Sequence, residues 1–165
     1  WINIEVIDKP MKLKLLAVGT RMPSWVEAGF DEYHKRMPSE LKLETIEIPL
    51  SPRGKGSTVQ SKENQGQAIL KHIAKQDKAV ALDVLGKSMS TESLATQLSD
   101  WQMIGHDICL LIGGPDGLSS DCLERADMKW SLSDLTLPHP LVRVVLMEQL
   151  YRAWTINQNH PYHRS

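Results

Sequence analysis

Asp107-Ile108-Cys109-Leu110-Leu111-Ile112-Gly113-Gly114-Pro115-Asp116-Gly117 is the stretch that decides how this chain is read. An apolar run of strand length is followed at once by two glycines. Glycines placed there let backbone approach a ligand closely, because no Cβ intervenes, and Pro115 stiffens the turn. A tight turn leading into a helix accounts for the same residues equally well. The loop matches neither the phosphate-binding Gly-x-x-x-x-Gly-Lys-Ser/Thr pattern nor the dinucleotide Gly-x-Gly-x-x-Gly pattern.

The pattern on both sides of this stretch is repetitive in kind. Lys12 to Val18 and Leu41 to Ile48 are strand-like, and Ala79 to Val84 is a continuous apolar run of the sort a strand covered on both faces needs. Lys129 to Leu132 predicts a short fifth strand. Between them, Val26, Phe30, Tyr33 and Met37 recur at helical spacing after Pro23. Ile69, Leu70 and Ile73 mark a second helix. Leu94, Leu98 and Trp101 mark a third, capped by Ser90 or Thr91. A short helix is expected near Ser119 and a long one from Leu141 to Asn157. Such alternation predicts a three-layer α/β domain with a mainly parallel sheet. In that architecture ligands bind beyond the carboxyl ends of the strands. The loops after Val84, Ile112 and Leu132 are the places to look.

The 165 residues, 41% hydrophobic and 24% charged, fit one ordinary globular domain. No apolar run approaches the roughly 18 residues that span a bilayer. Cys109 and Cys122 lack a metal spacing and read as unpaired thiols in a reducing compartment, so a cytoplasmic location is expected. A net charge of −1 excludes a protein that coats nucleic acid by bulk charge. It leaves room for an enzyme that reads a shaped RNA. Trp1 to Pro10 reads as a leader before a start at Met11, although Ile2 to Val6 could be an edge strand. Residues 11–165 form the expected single domain. Ser51 to Ser57 reads as a basic, glycine-rich loop.

Two further segments carry candidate chemistry. Ser133-Asp134-Leu135-Thr136-Leu137-Pro138-His139-Pro140 is apolar for an exposed connection. Its free backbone groups and greasy side chains suit an adenine ring, and a buried crossover segment reads the same way. His139 could act as a base or meet phosphate, although a lone histidine is more often structural. From Pro138 onward the chain carries Arg143, Arg152 and Arg164 beside Tyr151, Trp154 and Tyr162, with Glu148 as the sole acid. Arginine reads phosphate, and tyrosine and histidine offer stacking faces. A frayed terminus is the competing account. No HExxH, Cys-x-x-Cys or Gly-x-Ser-x-Gly pattern supports a metal or acyl-transfer site.

Taken together, Leu111 to Leu118, Leu135 to Arg143, Glu148 to Trp154 and Asn159 to Arg164 closely resemble the RlmH family. Its members are bacterial large-subunit ribosomal RNA pseudouridine methyltransferases of the SPOUT superfamily. Met11 to Thr20, followed by Met22, Pro23 and Trp25, also match, so the resemblance runs from Met11 to Ser165. It implies a SPOUT-type fold with a C-terminal trefoil knot, where residue patterns alone would argue against a knot. It implies a homodimer that transfers methyl from S-adenosyl-L-methionine to N3 of a pseudouridine in 23S RNA, with the assembled ribosome as substrate. Carried over by position, Leu82, Gly113, Gly114 and Leu132, Ser133, Asp134, Leu135, Thr136, Leu137 and Pro138 would hold the cofactor. Arg152 and His163 would serve catalysis. His139, Arg143, Tyr162, His163 and Arg164 would meet RNA. Asp116 stands where many members have Glu. A SPOUT enzyme acting on tRNA and a non-enzymatic ribosome-binding or assembly factor are the rival readings.

Overall fold

The computed structural model describes residues 11–50 and 58–164. The expected leader Trp1–Pro10, the glycine-rich loop Ser51–Ser57 and Ser165 lie outside the described residues. Five strands, β1 (Leu13–Val18), β2 (Leu43–Ile48), β3 (Lys78–Ser88), β4 (Ile108–Ile112) and β5 (Met128–Ser131), pair in parallel in the order β2-β1-β4-β3-β5. Between and after them run α1 (Ser24–His34), α2 (Thr58–Leu70), α3 (Thr91–Ile104), α4 (Ser120–Arg125) and α5 (His139–Asn157).

The period-2 alternation of the strands sorts the side chains into two cores. Leu13, Leu15 and Ala17 of β1 and Ile108, Leu110 and Ile112 of β4 pack with Leu94, Leu98 and Trp101 of α3 and Leu146 and Leu150 of α5. Leu16, Val18, Cys109 and Leu111 point the other way, against Ile69 of α2 and Cys122 of α4. All five residues of β4 are buried, which is why its sequence is apolar without alternation. Cys109 belongs to this core. Burial and the neighbouring Asp77 carboxylate push its thiol up to about 12, so it stays protonated. The expected three layers and parallel sheet are present.

The helix starts follow from capping. Ser90 Oγ accepts from Ser93 N at 3.1 Å, and Ser119 Oγ accepts from Cys122 N at 3.3 Å. Several boundaries differ from the sequence reading. Leu41 belongs to a 3-10 turn, Ser39–Leu41, and β2 begins at Leu43. Met37 is buried beyond the end of α1, and Ile73 packs beyond the end of α2. Helix α5 begins two residues early. Pro138 is extended at its N-cap, with ψ 143, and Pro140 sits in the first turn, where its missing N–H costs nothing.

The largest departure is in β3, expected to stop at Val84. Leu82 pairs with Trp130, residues 83–86 leave the ladder, and Lys87 returns to pair with the same Trp130. This excursion needs Gly86. A Cβ there would lie 2.7 Å from both Lys129 C and Trp130 N. No periodicity argument signals such a detour, because it interrupts one strand without a turn motif.

Candidate active site

At the carboxyl ends of β3, β4 and β5, three segments enclose a cavity of about 780 Å³. The excursion of β3 supplies Leu82, Asp83, Val84 and Leu85. The loop after β4 supplies Gly113 to Leu118. The segment after β5 supplies Leu132, Ser133, Leu135, Thr136, Leu137 and Pro138, with His139 and Val142 of α5. The three loops singled out from the sequence therefore meet around one space.

Each wall has a local cause. The Gly113–Gly117 turn is closed by Gly117 N donating to Gly114 O at 3.0 Å. A Cβ on Gly113 would fall 2.5 Å from Gly117 C and 2.7 Å from Leu118 N, so only glycine permits this turn. The post-β5 segment is braced from within. Ser131 Oγ donates to Ser133 O at 2.9 Å, and Leu135 N donates to Ser133 Oγ at 3.0 Å. That bracing leaves Leu135 73% exposed at one lip, while Leu85 is 89% exposed on the other. Large apolar side chains standing free around a cleft signal a surface that something else covers. Asp134 turns to solvent and does not line the cavity, unlike its neighbours. Trp130, Asp83, Val84 and Leu85 line it without having been anticipated; the three last belong to the unsignalled excursion.

His139 stands at the inner edge of the cavity. Its Nδ1 is buried without a hydrogen-bond partner among the described residues. Burial, and then the positive charge of Arg143, hold its pKa below the ordinary 6.5. The folded protein thus binds a proton at His139 less readily than the unfolded chain does. Stability falls as pH drops below about 6.5, where the unfolded state protonates first. We expect a His139→Gln variant to lose less melting temperature than the parent between about pH 7 and pH 5. A parallel decline in both proteins contradicts the assignment.

Arg143, expected at the RNA, is spent inside the protein. Its side chain is 6% exposed, pairs with Glu47 at 2.6 Å, and Nη2 donates to Gly19 O at 2.8 Å. It ties α5 to the ends of β1 and β2. This is a correction to the sequence reading: the guanidinium is a packing element of the monomer.

The tail is ordered rather than frayed. Pro161–Arg164 forms a 3-10 turn that folds back on α5. The Tyr162 ring lies 4.7 Å from that of Tyr151 and 6.5 Å from that of Tyr33 on α1. The guanidinium of Arg152 sits over the Tyr162 ring at 4.9 Å. His163 is half-buried, with Nδ1 unpaired among the described residues, and Arg164 is exposed. Arg152 and Tyr162 share Glu148, whose Oε1 accepts from Arg152 Nε at 2.9 Å and from the Tyr162 hydroxyl at 3.1 Å. Hydrogen bonding to Glu148 raises the Arg152 pKa, fixing its charge. Burial, reinforced by the Glu148 carboxylate, pushes the Tyr162 phenol up to about 12. Its hydroxyl is a donor at neutral pH and no base. Glu148 was visible in sequence as an acid four residues before an arginine on one helix, but its grip on the tail was not.

The two groups of candidate residues are not adjacent in one chain. Val142 lines the cavity, and Arg152 follows ten residues later on α5, about 15 Å along the helix axis. Among the described residues no group of three His, Cys, Asp or Glu could hold a metal ion, and no helix is long and apolar enough to cross a membrane.

An open parallel sheet with a glycine-walled, largely apolar cleft at its carboxyl edge is the architecture of α/β enzymes that bind their ligand beyond the strand ends. Residues 11–163 match a family model described as "Predicted SPOUT methyltransferase". A protein of Saccharophagus degradans named ribosomal RNA large subunit methyltransferase H is 61% identical over 155 residues, 93% of this chain and 100% of its own. One of the same name from Hahella chejuensis is 56% identical, over 93% of this chain and 99% of its own. A solved structure of a probable methylase family protein from Haemophilus influenzae shares the fold at 13% identity, with a TM-score of 0.54 over 92% of this chain and 70% of that one. The chain belongs to the SPOUT methyltransferases, within the group of ribosomal RNA large subunit methyltransferase H, and is a methyltransferase.

Proposed function

We propose that this enzyme transfers a methyl group from S-adenosyl-L-methionine to N3 of a pseudouridine in 23S ribosomal RNA, on the assembled ribosome in the cytoplasm, as a homodimer. The substrate rests on one observation above all: 61% identity along the full length of a protein named for large-subunit ribosomal RNA. The cofactor rests on the fit of the cleft. A space of about 780 Å³ admits a nucleoside with its amino-acid arm. Gly113 and Gly114 keep Cβ atoms out of it, and the braced Leu132 to Pro138 segment offers backbone groups to an adenine edge. The carboxylates of Asp83 and Asp116 stand at the same cleft and suit hydroxyl or ammonium groups. When bound, the cofactor supplies an electrophilic methyl group.

The protein's own residues then have three tasks. The cleft orients the donor, the tail holds the base, and a fixed cation favours loss of the weakly acidic N3 proton. Arg152 suits the last task, with a charge that does not titrate near neutrality. Tyr162 keeps its hydroxyl proton and serves as a hydrogen-bond donor, stacking face or both. Proton acceptance falls to His139, His163 or water.

The distance along α5 between cleft and tail supports a site built from two chains, in which the tail of one protomer faces the cleft of the other. The exposed Leu85 and Leu135 lips support a covering partner. The close approach of Gly86 to the distant Lys129–Trp130 backbone fits the trefoil knot, in which separate segments pass within contact distance. Calorimetric titration tests the cofactor: one S-adenosyl-L-methionine site per cleft and no heat with ATP or NAD supports it, and the reverse preference overturns it.

A further inference from the structure

Arg152 can stabilise a developing anion only if its guanidinium is held before the base arrives. Left alone, a long arginine side chain at 26% exposure on a helix end samples many rotamers. Three contacts limit it here. Nε and Nη2 both reach Glu148 Oε1, at 2.9 and 2.8 Å, and the Tyr162 ring covers one face. Glu148 is itself restrained, because Gln149 Nε2 donates to its other oxygen, Oε2, at 2.7 Å. Thr91 on α3 donates to Gln149 Oε1 at 2.8 Å and anchors that amide. The chain of contacts therefore runs from α3 through Gln149 and Glu148 to Arg152 and the tail. Beyond Glu148, the guanidinium also interacts with Tyr162, whose ring it covers.

We infer that Glu148 is a positioning residue for methyl transfer: it orients the Arg152 guanidinium toward the target base and seats Tyr162 beside it. The inference rests on the methyl-transfer reading of the site. One carboxylate sets both groups, so the arginine and the tail act as one unit. A purely structural ion pair of this exposure contributes little to folding. Glu148 is the sole acid between Pro138 and Ser165, and positioning Arg152 and Tyr162 gives it a function there.

The test uses the full chain with Glu148→Gln, Arg152→Lys and the double variant, assayed on ribosomes lacking the methyl group. Glu148→Gln keeps the shape and removes the charge. The expected result is a fall in kcat of roughly tenfold or more, with KM for ribosomes changed by less than about threefold. Cofactor affinity and melting temperature stay near those of the parent. Hydrogen exchange of the amides at 162–164 speeds up. In the Arg152→Lys background, the same Glu148→Gln change costs less than about twofold, because the planar guanidinium that Glu148 orients is already gone. Full kcat in Glu148→Gln, or losses that multiply in the double variant, overturn the inference while leaving methyl transfer intact. A parent protein that transfers no methyl to any RNA overturns the functional reading and this inference with it.

Discussion

A chain ending at Pro161 binds S-adenosyl-L-methionine as tightly as the full chain and methylates no RNA. The cleft owes nothing to the tail: its walls come from β3, the Gly113–Gly117 turn and the post-β5 segment, all upstream on the chain. The tail contributes instead to the other end of α5. Removing Tyr162 uncovers the face of Arg152, takes one partner from Glu148 and opens the aromatic contact with Tyr151 and Tyr33. His163 and Arg164 leave with it. Loss of several oriented donors and of base positioning together is worth on the order of a thousandfold or more in turnover. Calorimetry for the cofactor and single-turnover transfer to ribosomes measure the two halves separately. Normal turnover by the shortened chain contradicts the role given to the tail. A large loss of cofactor affinity contradicts the separation of the two halves.

The second large effect comes from mixing two inactive proteins. A Gly113→Val side chain collides with Gly117 and Leu118 backbone and fills the cleft, while α5 and the tail stay as they are. Arg152→Ala leaves the cleft intact and removes the cation. Each variant alone is inactive. If the site is built across a two-fold interface, a mixed dimer has one complete site, made from the cleft of the Arg152→Ala chain and the tail of the Gly113→Val chain. Random exchange of equal amounts gives about half mixed dimers, each with one working site of two, so about a quarter of parental activity returns. A site contained in one chain gives no recovery at any ratio. The effect is large because it is read against zero. Co-expression with two different tags allows the mixed dimer to be isolated and assayed directly.

How much of this was legible from residues depends on the kind of information each feature carries. The layer order follows from periodicity. β4 reads as a strand from its apolar run, and burial of all five of its residues explains why that run does not alternate. Gly113 and Gly114 stand out as glycines directly after a strand, a feature that a tight turn accounts for equally well, and the turn at Gly113 does require glycine. The excursion at residues 83–86 was not legible, since its cause is a passing backbone at Lys129 and Trp130 more than forty residues away. Asp134 and Arg143 show the limit of reading site residues by motif position. Asp134 borders a matched stretch and Arg143 closes it, yet one turns to solvent and the other is consumed by Glu47 and Gly19 O, partners distant in sequence. Pro161–Arg164 could be suspected of function from its aromatic and basic content. Its order depends on Tyr33 of α1, Tyr151 and Glu148, contacts that only the fold assembles.

Transfer of labelled methyl from S-adenosyl-L-methionine to ribosomes lacking this modification, with free ribosomal RNA and bulk tRNA as parallel substrates, tests the central claim most directly. Label confined to the large-subunit RNA of ribosomes, and mapped to N3 of a pseudouridine, is the predicted result. Label in tRNA instead, or no label in any RNA from a protein that binds ribosomes, contradicts it.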